Sequence, residues 1–581
     1  MRVRFPGVDS GVPSRQCPGP CAGWWRGSVH VPPWSVAAVV CAALVLSACA
    51  PRAEPANGKT AGTPAAGVRR LTIAVPLDTG PLNIYSSDPS FDYLVELVYD
   101  KLLAPSPYVA EPIPGLAESA TQLDAMTWTV KLRDGVRWHD GKPFTAEDVK
   151  FTYESYRDGS PSRHTHHVST VPKIDRIDID GPRTVRFVCN YPCPSLGPVT
   201  FADLPILPKH IWESVKEPKT YKDLPIGTGP YKLVERRPDQ LYRFQANESY
   251  FLGRPLVDEL IVPIIKDPNA TFTALKTGEI DIAVRDVPPE LLAELTRLPG
   301  IKTIRTAPLS LVELHLNFER VPFDQPEFRR ALSLMVDRRS IVDTVLLGEG
   351  RPGTQGFNHP DSPWTKPGLS TPFDREAATR LLDGLRFVDR DGDGIRETPT
   401  GRPLAFDVAV PSSEPVWMRV VEMVARQAHA VGIQLTVQPL DVGTVLGLFA
   451  TRQFDLYIGL TGPHGVADPD MFVMSHLSGN LWRPDLPYPA FDALREEWKT
   501  TTDIESRKQV SFRMQELFSS QPTVIPLYYP ASSFAYRAAA YDNWVESPGF
   551  GIVHKWSFLP VEARVGAVVA SPPSGATRPE P

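Results

Sequence analysis

The segment from residue 128 to residue 149 constrains the fold most, because its side-chain pattern changes period within a short span. Trp128–Leu132 alternates apolar and polar side chains, which is typical of a strand. Arg133-Asp134-Gly135 supplies a turn, since glycine tolerates a positive φ, and Val136–Trp138 is predicted to return as the second strand. The sequence therefore predicts a β-hairpin at this point.

A helix is predicted directly after this hairpin. Asp140-Gly141 forms a second turn, and Thr145 followed three residues later by Asp148 is a capping-box pattern. With 62 prolines in 581 residues, we also expect many long loops. Strands and helices alternate elsewhere too, which predicts an α/β protein rather than a bundle or a sandwich. The clearest of these segments are the strands Leu71–Val75 and Gln434–Pro439 and the helices Phe91–Leu103, Met335–Leu347 and Met418–Val431.

An apolar run, Val36–Leu46, lies near the N-terminus. It has 11 residues, and a membrane-spanning helix needs about 20, so it is predicted to be the apolar part of a secretory signal. It ends in Leu46-Ser47-Ala48-Cys49, a small-residue cleavage site followed by cysteine, as in bacterial lipoprotein signals. We therefore expect lipidation of Cys49 and a location outside the cytoplasm. The alternative is an ordinary cysteine beside a cleavable signal.

The charge of the mature chain excludes one large class of partners. Without residues 1–48, which hold four arginines and one aspartate, 533 residues carry 57 basic and 66 acidic side chains, a net charge of −9. The sequence has no cluster of Lys and Arg, so we expect no nucleic-acid binding. It also lacks a Gly-x-Ser-x-Gly elbow and a His-Glu-x-x-His motif, so nothing in it indicates an enzyme.

Two of the six cysteines remain in the mature chain besides Cys49. They lie four residues apart, at Cys189 and Cys193. A short disulfide between them fits an oxidising compartment, and two free thiols are the alternative. A zinc site would need a second pair of ligands.

The string from Lys131 to Val149, KLRDGVRWHDGKPFTAEDV, closely resembles the signature of the family 5 extracellular solute-binding proteins. These are the dipeptide, oligopeptide and nickel receptors of ABC importers. The resemblance covers about residues 70–563. Further segments that resemble this family follow in the family's order: Pro81–Tyr85, Gly227–Leu233, Ala274–Asp281, Leu316–Phe318, Phe328–Leu332 and Ile525–Tyr529.

The resemblance implies a two-lobed α/β fold with a ligand cleft between the lobes and an extra subdomain in the first lobe. We place the lobe crossings near Leu309–Phe318 and Thr523–Phe534. The predicted organisation is a signal peptide (1–48), a flexible tether (49–67), lobe 1 (68–315) with its subdomain (about 105–225), lobe 2 (316–524), a return to lobe 1 (525–564) and a disordered tail (565–581).

The resemblance also implies a function. We expect a monomeric, lipid-anchored receptor without a cofactor, which captures a peptide between its lobes and delivers it to the membrane subunits of an ABC permease. The alternatives are a metal chelate, an oligosaccharide or another small polar molecule as the ligand. A sensor or chaperone that keeps the same fold is a further alternative.

The ligand segment departs from the family pattern. Peptide-binding members hold the α-ammonium group with an acidic residue shortly before an Asp/Glu-Pro pair. Here Asp468-Pro469 matches the pair, but Pro463-His464 stands where the acid is expected, and the spacing is two residues longer. Asp468 or Asp470 is the candidate replacement. His464 is a candidate contact for a metal chelate or an anion, with a solvated loop as the alternative.

Aromatic side chains complete the candidate cleft. The family pattern supports Tyr528 or Tyr529 on the crossing strand, whereas Trp364 and Trp482 are candidates with core packing as the alternative. Asn83 is a further candidate, with the capping of a turn as its alternative.

Two segments invite a metal interpretation, and we predict neither as a metal site. The histidines of His164–His167 are expected in a solvated loop. Asp389–Glu397 begins like a calcium loop, but position twelve, a glutamate in such loops, is Thr400, so a polar turn is favoured.

Overall fold

The computed structural model describes residues 69–86, 92–107, 111–160, 162, 165, 174–306, 309–354, 356–370, 372–462, 472–473, 488–547, 549 and 551–564. The predicted lipidation at Cys49, the tether (49–67) and the tail (565–581) lie outside these residues. None of the described helices is both long and apolar enough to cross a membrane.

The strands of the described residues run in chain order as follows. They are β1 Arg70–Ala74, β2 Leu103–Ala104, β3 Ile113–Pro114, β4 Ala117–Asp124, β5 Thr127–Leu132, β6 Ile174–Gly181, β7 Thr184–Cys189, β8 Tyr231–Arg237, β9 Leu241–Ala246, β10 Glu259–Pro263, β11 Ile282–Ala283, β12 Ile301–Thr306, β13 Leu311–Leu316, β14 Gly350–Pro352, β15 Ala405–Pro411, β16 Gln434–Leu440, β17 Leu456–Thr461, β18 Val524–Pro530 and β19 Ser532–Arg537.

The α-helices of the same residues alternate with these strands. They are α1 Asp92–Val98, α2 Ala146–Asp158, α3 Thr200–Asp203, α4 Lys209–Trp212, α5 Pro268–Thr277, α6 Pro289–Arg297, α7 Pro326–Leu334, α8 Arg338–Ser340, α9 Arg375–Gly384, α10 Pro415–His429, α11 Val442–Thr451, α12 Pro489–Thr500, α13 Ile504–Ser520 and α14 Lys555–Phe558.

Lobe 1 is built on a mixed sheet in which the described strands have the order β12-β19-β11-β1-β10-β9-β8. β1 lies near its centre and pairs in parallel with both β10 and β11. Leu71 and Ile73 of β1 are fully buried, as the β-branched and apolar composition of this segment predicts. The predicted strand at Leu71–Val75 is therefore confirmed within one residue at each end.

The extra subdomain of lobe 1 contains a described antiparallel sheet with the order β4-β5-β7-β6. The predicted hairpin is wrong here. β5 pairs with β4 along one edge and with β7 along the other, so neither edge remains for Val136–Trp138. Instead, residues 136–144 close a small loop, in which the amide of Trp138 donates to Lys142 O (2.8 Å) and that of Phe144 to Val136 O (3.0 Å).

The helix predicted after this loop is present as α2. Its start matches the capping pattern, because the Asp148 carboxylate accepts hydrogen bonds from the backbone amide of Thr145 (2.9 Å) and from its hydroxyl (3.0 Å). The other Asp148 oxygen accepts from the amide of Lys209 at 3.0 Å. The cap therefore also fixes the start of α4 against α2.

Lobe 2 has its own sheet, in which the described strands follow the order β14-β18-β13-β17-β15-β16. Its apolar core is separate from that of lobe 1. The predicted helix Met418–Val431 and strand Gln434–Pro439 are confirmed as α10 and β16. Met335–Leu347 is only partly helical, since α8 is followed by a π-turn at Ile341–Val345.

Two connections join the lobes. The chain leaves lobe 1 after β12 and enters lobe 2 at β13, and it returns between β18 and β19. These changes of sheet lie between Thr306 and Leu311 and between Pro530 and Ser532. All of β13 and β18 thus pairs within the sheet of lobe 2. Judged by sheet membership, lobe 2 begins five residues before the predicted limit at 315/316. It ends six residues after the predicted limit at 524/525.

The Gly227-Thr228-Gly229 segment is explained by a close approach of two backbones. A Cβ atom on Gly227 would lie 1.9 Å from the carbonyl oxygen of Val98, and one on Gly229 would lie 2.6 Å from that of Leu97. Thr228 donates its hydroxyl hydrogen to the buried carboxylate of Asp100 at 3.1 Å. Glycine is required at these two positions because α1 ends directly against them.

The C-terminal segment is fixed to lobe 1 by buried polar contacts. Lys555 Nζ lies 2.6 Å from Asp100 Oδ1, and both side chains are almost fully buried. The indole of Trp556 donates to Pro105 O at 2.7 Å. The partners in these contacts lie far apart in sequence, and the contacts fasten the end of the described chain to the segment that follows α1.

Candidate functional site

The candidate cleft lies where three elements of the two lobes meet. Lobe 1 contributes the loop between β11 and α6, lobe 2 contributes the loop between β15 and α10, and the crossing strand β18 lies between them. Arg419 Nη2 of α10 lies 3.3 Å from Glu290 Oε1 of α6. This ion pair places the first turns of the two helices opposite each other across the cleft.

Tyr528 is the crossing-strand residue at the bottom of this cleft. Its side chain is buried. Burial raises the pKa of its hydroxyl well above the usual value, and the nearby carboxylates of Glu414 and Asp286 raise it further. The side chain of Trp417 lowers this pKa by a smaller amount. Tyr528 is therefore approached by acidic groups from both lobes.

Asp286 belongs to the lobe 1 loop of the cleft. Water reaches its side chain, yet the protein around the carboxyl raises its pKa to about 6 by desolvation. A hydrogen bond with the Ser532 side chain and the charge of Arg285 lower the pKa by smaller amounts.

Glu414 faces Asp286 from lobe 2. Its pKa is raised to about 7, mainly by desolvation, while the charge of Arg285 lowers it and that of Asp286 raises it. Glu414 precedes α10 at the N-cap position, but its carboxylate does not cap the helix. Its interactions with other described residues are electrostatic only. The carboxylate is thus positioned in the cleft without a hydrogen-bond donor from the described part of the chain.

Arg285 is a cation whose charge lowers the pKa of both carboxylates. Its Nη1 donates to the carbonyl oxygen of Lys266 at 3.2 Å and to Thr271 Oγ1 at 3.4 Å. Burial lowers the pKa of the guanidinium, although Glu414 and Asp286 raise it. Part of the hydrogen-bonding capacity of the Arg285 guanidinium is therefore used by acceptors of lobe 1.

Tyr529 points away from Tyr528, as successive residues of a strand do. Its hydroxyl donates to Asn358 O at 2.8 Å and lies 2.9 Å from Thr354 Oγ1. It borders a cavity of about 350 Å³ that residues of both lobes line. Of the two predicted tyrosines, Tyr528 is the one at the candidate cleft.

Trp364 and Asn83 have internal roles in the structure. The Trp364 ring packs edge-on against Trp498 at 5.8 Å between centroids, in the core of lobe 2. The Asn83 side-chain amide donates to Pro218 O at 2.6 Å and Tyr221 O at 3.0 Å, and its oxygen accepts from the amide of Tyr85. Asn83 thus holds a turn, which was its predicted alternative.

The ligand segment itself lies outside the described residues. Asp468, Asp470, His464 and Trp482 all belong to it, so their predicted roles stay predictions. The same applies to the histidines at 164, 166 and 167.

Cys189 and Cys193 are joined by a disulfide. The loop that they close lies against lobe 2, where Lys499 Nζ is 4.7 Å from the centroid of the Tyr191 ring. Beside it, Arg507 Nη2 donates to Ser195 Oγ at 2.7 Å. The subdomain of lobe 1 therefore touches lobe 2 through this loop, in addition to the ion pair between α6 and α10.

The acidic turn at Asp389–Glu397 brings the carboxylates of Asp389, Asp391, Asp393 and Glu397 within 4.8 Å of one another. Backbone amides of the turn itself donate to these groups, for example Gly392 and Gly394 to Asp389 at 2.7 Å and 3.0 Å. The preference for a polar turn over a calcium site therefore stays a prediction.

Sequence reasoning missed Asp286, Glu414 and Trp417. One signal could have found the two acids, because each lies three residues after the carboxyl end of a strand, β11 or β15. Both strands run parallel to a neighbour, and ligands bind outside the carboxyl ends of parallel strands. The pairing of the two ends across a cleft, however, depends on the tertiary structure.

The comparisons with known proteins agree with this architecture. Residues 111–482 match the model of the bacterial extracellular solute-binding proteins, family 5 middle domain. The chain is 27% identical over 513 residues to the oligopeptide-binding protein AppA of Bacillus subtilis, covering 85% of this chain and 92% of AppA. It is 30% identical over 509 residues to protein XP55 of Streptomyces lividans, covering 86% and 89% of the two chains.

A solved structure confirms the fold. NikZ from Campylobacter jejuni, in complex with Ni(L-His), superimposes with a TM-score of 0.73 at 23% sequence identity. The superposition covers 84% of this chain and 98% of NikZ. The predicted two-lobed α/β fold with a cleft between the lobes is thereby confirmed.

Proposed function

This chain belongs to family 5 of the bacterial extracellular solute-binding proteins, and from this premise we propose that it captures peptides between its lobes and delivers them to an ABC permease. The observation that supports this most directly is the cleft at Tyr528, which both lobes line with polar groups. The likeness to an oligopeptide-binding protein over 92% of that protein supports peptides as the ligand class.

The delivery step follows from the way the lobes are joined. Two backbone connections next to each other allow one lobe to rotate against the other, as in hinge closure around a ligand. The ion pair of Arg419 with Glu290 and the contact of Arg507 with Ser195 form only when the lobes approach. The closed form thus presents a surface made of both lobes, which the permease would distinguish from the open form.

Within this function, we assign ligand contacts to Tyr528 and to the segment that follows β17. Asp468 or Asp470 replaces the acid that peptide-binding relatives place before the Asp/Glu-Pro pair, and His464 and Trp482 lie in the same segment. We also assign a lipid to Cys49, which tethers the receptor to the membrane through residues 49–67. A Cys49→Ser variant should move from the membrane fraction to the soluble fraction; membrane retention would contradict the anchor.

The ligand class is tested by native mass spectrometry of protein purified without refolding, followed by thermal-shift measurements. Peptides of three to five residues should raise the melting temperature in proportion to ln(1 + [L]/Kd). The nickel–histidine complex serves as the competing ligand class. Stabilisation by the nickel complex without stabilisation by any peptide would overturn the peptide proposal.

A further inference from the structure

We propose that the disulfide-closed loop of residues 189–197, here called the latch loop, fastens lobe 2 to the subdomain of lobe 1 in the closed form through the side chain of Arg507. The inference goes beyond the proposed function, because it gives the extra subdomain a role in closure that holds for any class of solute. It also implies that closed molecules are populated before a solute binds.

The latch loop is anchored to the subdomain sheet. The amide of Cys189 donates to Met126 O at 2.8 Å. The amide of Cys193 donates to Ala125 O, also at 2.8 Å, and its carbonyl oxygen accepts from the Trp128 indole at 3.0 Å. These contacts fix the start of the latch loop to the hairpin between β4 and β5.

The disulfide of the latch loop acts on local shape more than on the stability of the lobe. Its two cysteines are four positions apart, and the stabilisation by a cross-link decreases as the closed loop becomes shorter. Both cysteine side chains are buried. The cross-link therefore holds the residues within and directly after it, Tyr191 and Ser195, in a defined position at the edge of the subdomain.

Arg507 is held in an equally defined position on lobe 2. Its Nη1 donates to Trp498 O at 3.2 Å and to Thr501 O at 3.3 Å. Its Cζ lies 3.6 Å from the centroid of the Trp498 ring, and this tryptophan is packed in the core of lobe 2. Stacking on an aromatic ring orients the planar guanidinium. Contacts within lobe 2 thus position Arg507 for the contact with lobe 1.

The contact between the two lobes is a buried, charge-assisted hydrogen bond. Arg507 Nη2 donates to Ser195 Oγ at 2.7 Å, and the two residues are only 3% and 4% exposed. The ion pair of Arg419 with Glu290, in contrast, has side chains that are 42% and 49% exposed. Because water screens exposed charges, the buried hydrogen bond is the stronger of the two links between the lobes.

A second contact of the latch loop points to the same function. Lys499 Nζ of α12 lies 4.7 Å from the centroid of the Tyr191 ring, a cation–π distance. The residues on both sides of the interface are already ordered by contacts within their own lobe, so joining them costs little conformational entropy. The latch loop therefore stabilises the closed form relative to the open form.

The first experiment measures closure by small-angle scattering of the ligand-free protein. Arg507→Lys keeps the charge but loses the planar guanidinium, and Ser195→Ala removes the acceptor. We expect each variant to lower the ratio of closed to open molecules about tenfold, which increases the radius of gyration. Arg513→Lys is the matched control, because Arg513 lies on the same helix and pairs with Glu497 within lobe 2.

The second experiment tests whether the disulfide acts through Arg507. Hydrogen exchange of the latch loop should be faster in Arg507→Lys, although this substitution lies in lobe 2. Cys189→Ser combined with Cys193→Ser should also open the lobes, and adding Arg507→Lys should open them no further. Melting curves verify that each variant is folded; if the cysteine variant does not fold, Ser195→Ala combined with Arg507→Lys replaces it.

Two results would overturn the latch. One is a wild-type radius of gyration and wild-type exchange in both Arg507→Lys and Ser195→Ala. The other is an additive opening when Arg507→Lys is combined with the cysteine variant or with Ser195→Ala. Neither measurement uses a solute, so the latch can fail while the thermal shifts support peptides, and it can stand while no peptide binds.

Discussion

Arg419 and Glu290 form an ion pair at 3.3 Å that joins α10 of lobe 2 to α6 of lobe 1. Both side chains are partly exposed, at 42% and 49% of their surface, so the pair adds little to the stability of either lobe. Its position matters more than its strength, because it forms only while the lobes are close together. The presence of this ion pair therefore indicates that the two lobes are closed.

We predict that Arg419→Ala shifts the receptor toward its open form. The melting temperature should change little, because exposed pairs contribute about 0–1 kcal/mol, whereas the affinity for a bound peptide should fall severalfold. Small-angle scattering of the ligand-free variant should show a larger radius of gyration than wild type. An unchanged radius together with unchanged affinity would show that the pair has no part in closure.

The carboxyl of Glu414 should make stability depend on pH in a defined direction. Its folded pKa of about 7 lies above the ordinary value of 4.5 for a glutamate, so the folded state binds the proton more tightly than the unfolded state. The stability from this group is complete below about pH 4.5 and is lost as the pH rises through 7. Asp286, with a pKa of about 6, acts in the same direction.

Glu414→Gln therefore should raise the free energy of unfolding of the ligand-free protein at pH 8. We expect about 1 kcal/mol, less than the full pKa shift implies, because the group is partly exposed. The difference from wild type should shrink toward zero at pH 5. Urea unfolding at both pH values measures it, and a variant that is less stable than wild type at pH 8 would contradict the assigned desolvation.

The buried pair of Lys555 and Asp100 should be essential for attaching the C-terminal segment. Lys555→Met leaves the carboxylate of Asp100 buried, and the side-chain donors that remain to it among the described residues are the hydroxyls of Thr228 and Tyr250. Removing one partner of a buried ion pair costs about 3–5 kcal/mol. Lys302→Met is the control, since that lysine pairs with Asp542 at the surface. Equal losses in the two variants would argue against a special role of the buried pair.

Gly227→Ala should destabilise lobe 1 because its Cβ would overlap the carbonyl oxygen of Val98. Moving α1 away would disturb a fully packed core, at a cost of about 1–3 kcal/mol or more. Gly384→Ala is a suitable control, because a Cβ there meets no atom within 4 Å. Comparable unfolding free energies for both variants would mean that α1 can adjust.

The family, the two-lobed fold and the start of α2 were predictable from the sequence, because each depends on local patterns. The capping residues Thr145 and Asp148 act within one helical turn, and the glycines of Gly227-Thr228-Gly229 belong to a short motif that resembles the family pattern. The hairpin at Val136–Trp138 was mispredicted for a nonlocal reason. The two edges of β5 are occupied by β4 and by β7, and β7 arrives from a distant part of the chain.

The candidate site shows the same difference between what local sequence patterns predict and what nonlocal packing decides. Alternation along β18 determines that Tyr528 and Tyr529 face opposite sides, but only the packing of α10 decides which of them faces the cleft. Asp286 and Glu414 are ordinary loop acids in the sequence, 128 positions apart. The charge of Asp286 acts on Glu414 because the crossing strands bring together two lobes that have separate apolar cores. A sequence specifies each lobe through short-range patterns, whereas the electrostatics between the lobes arises only from their placement in space.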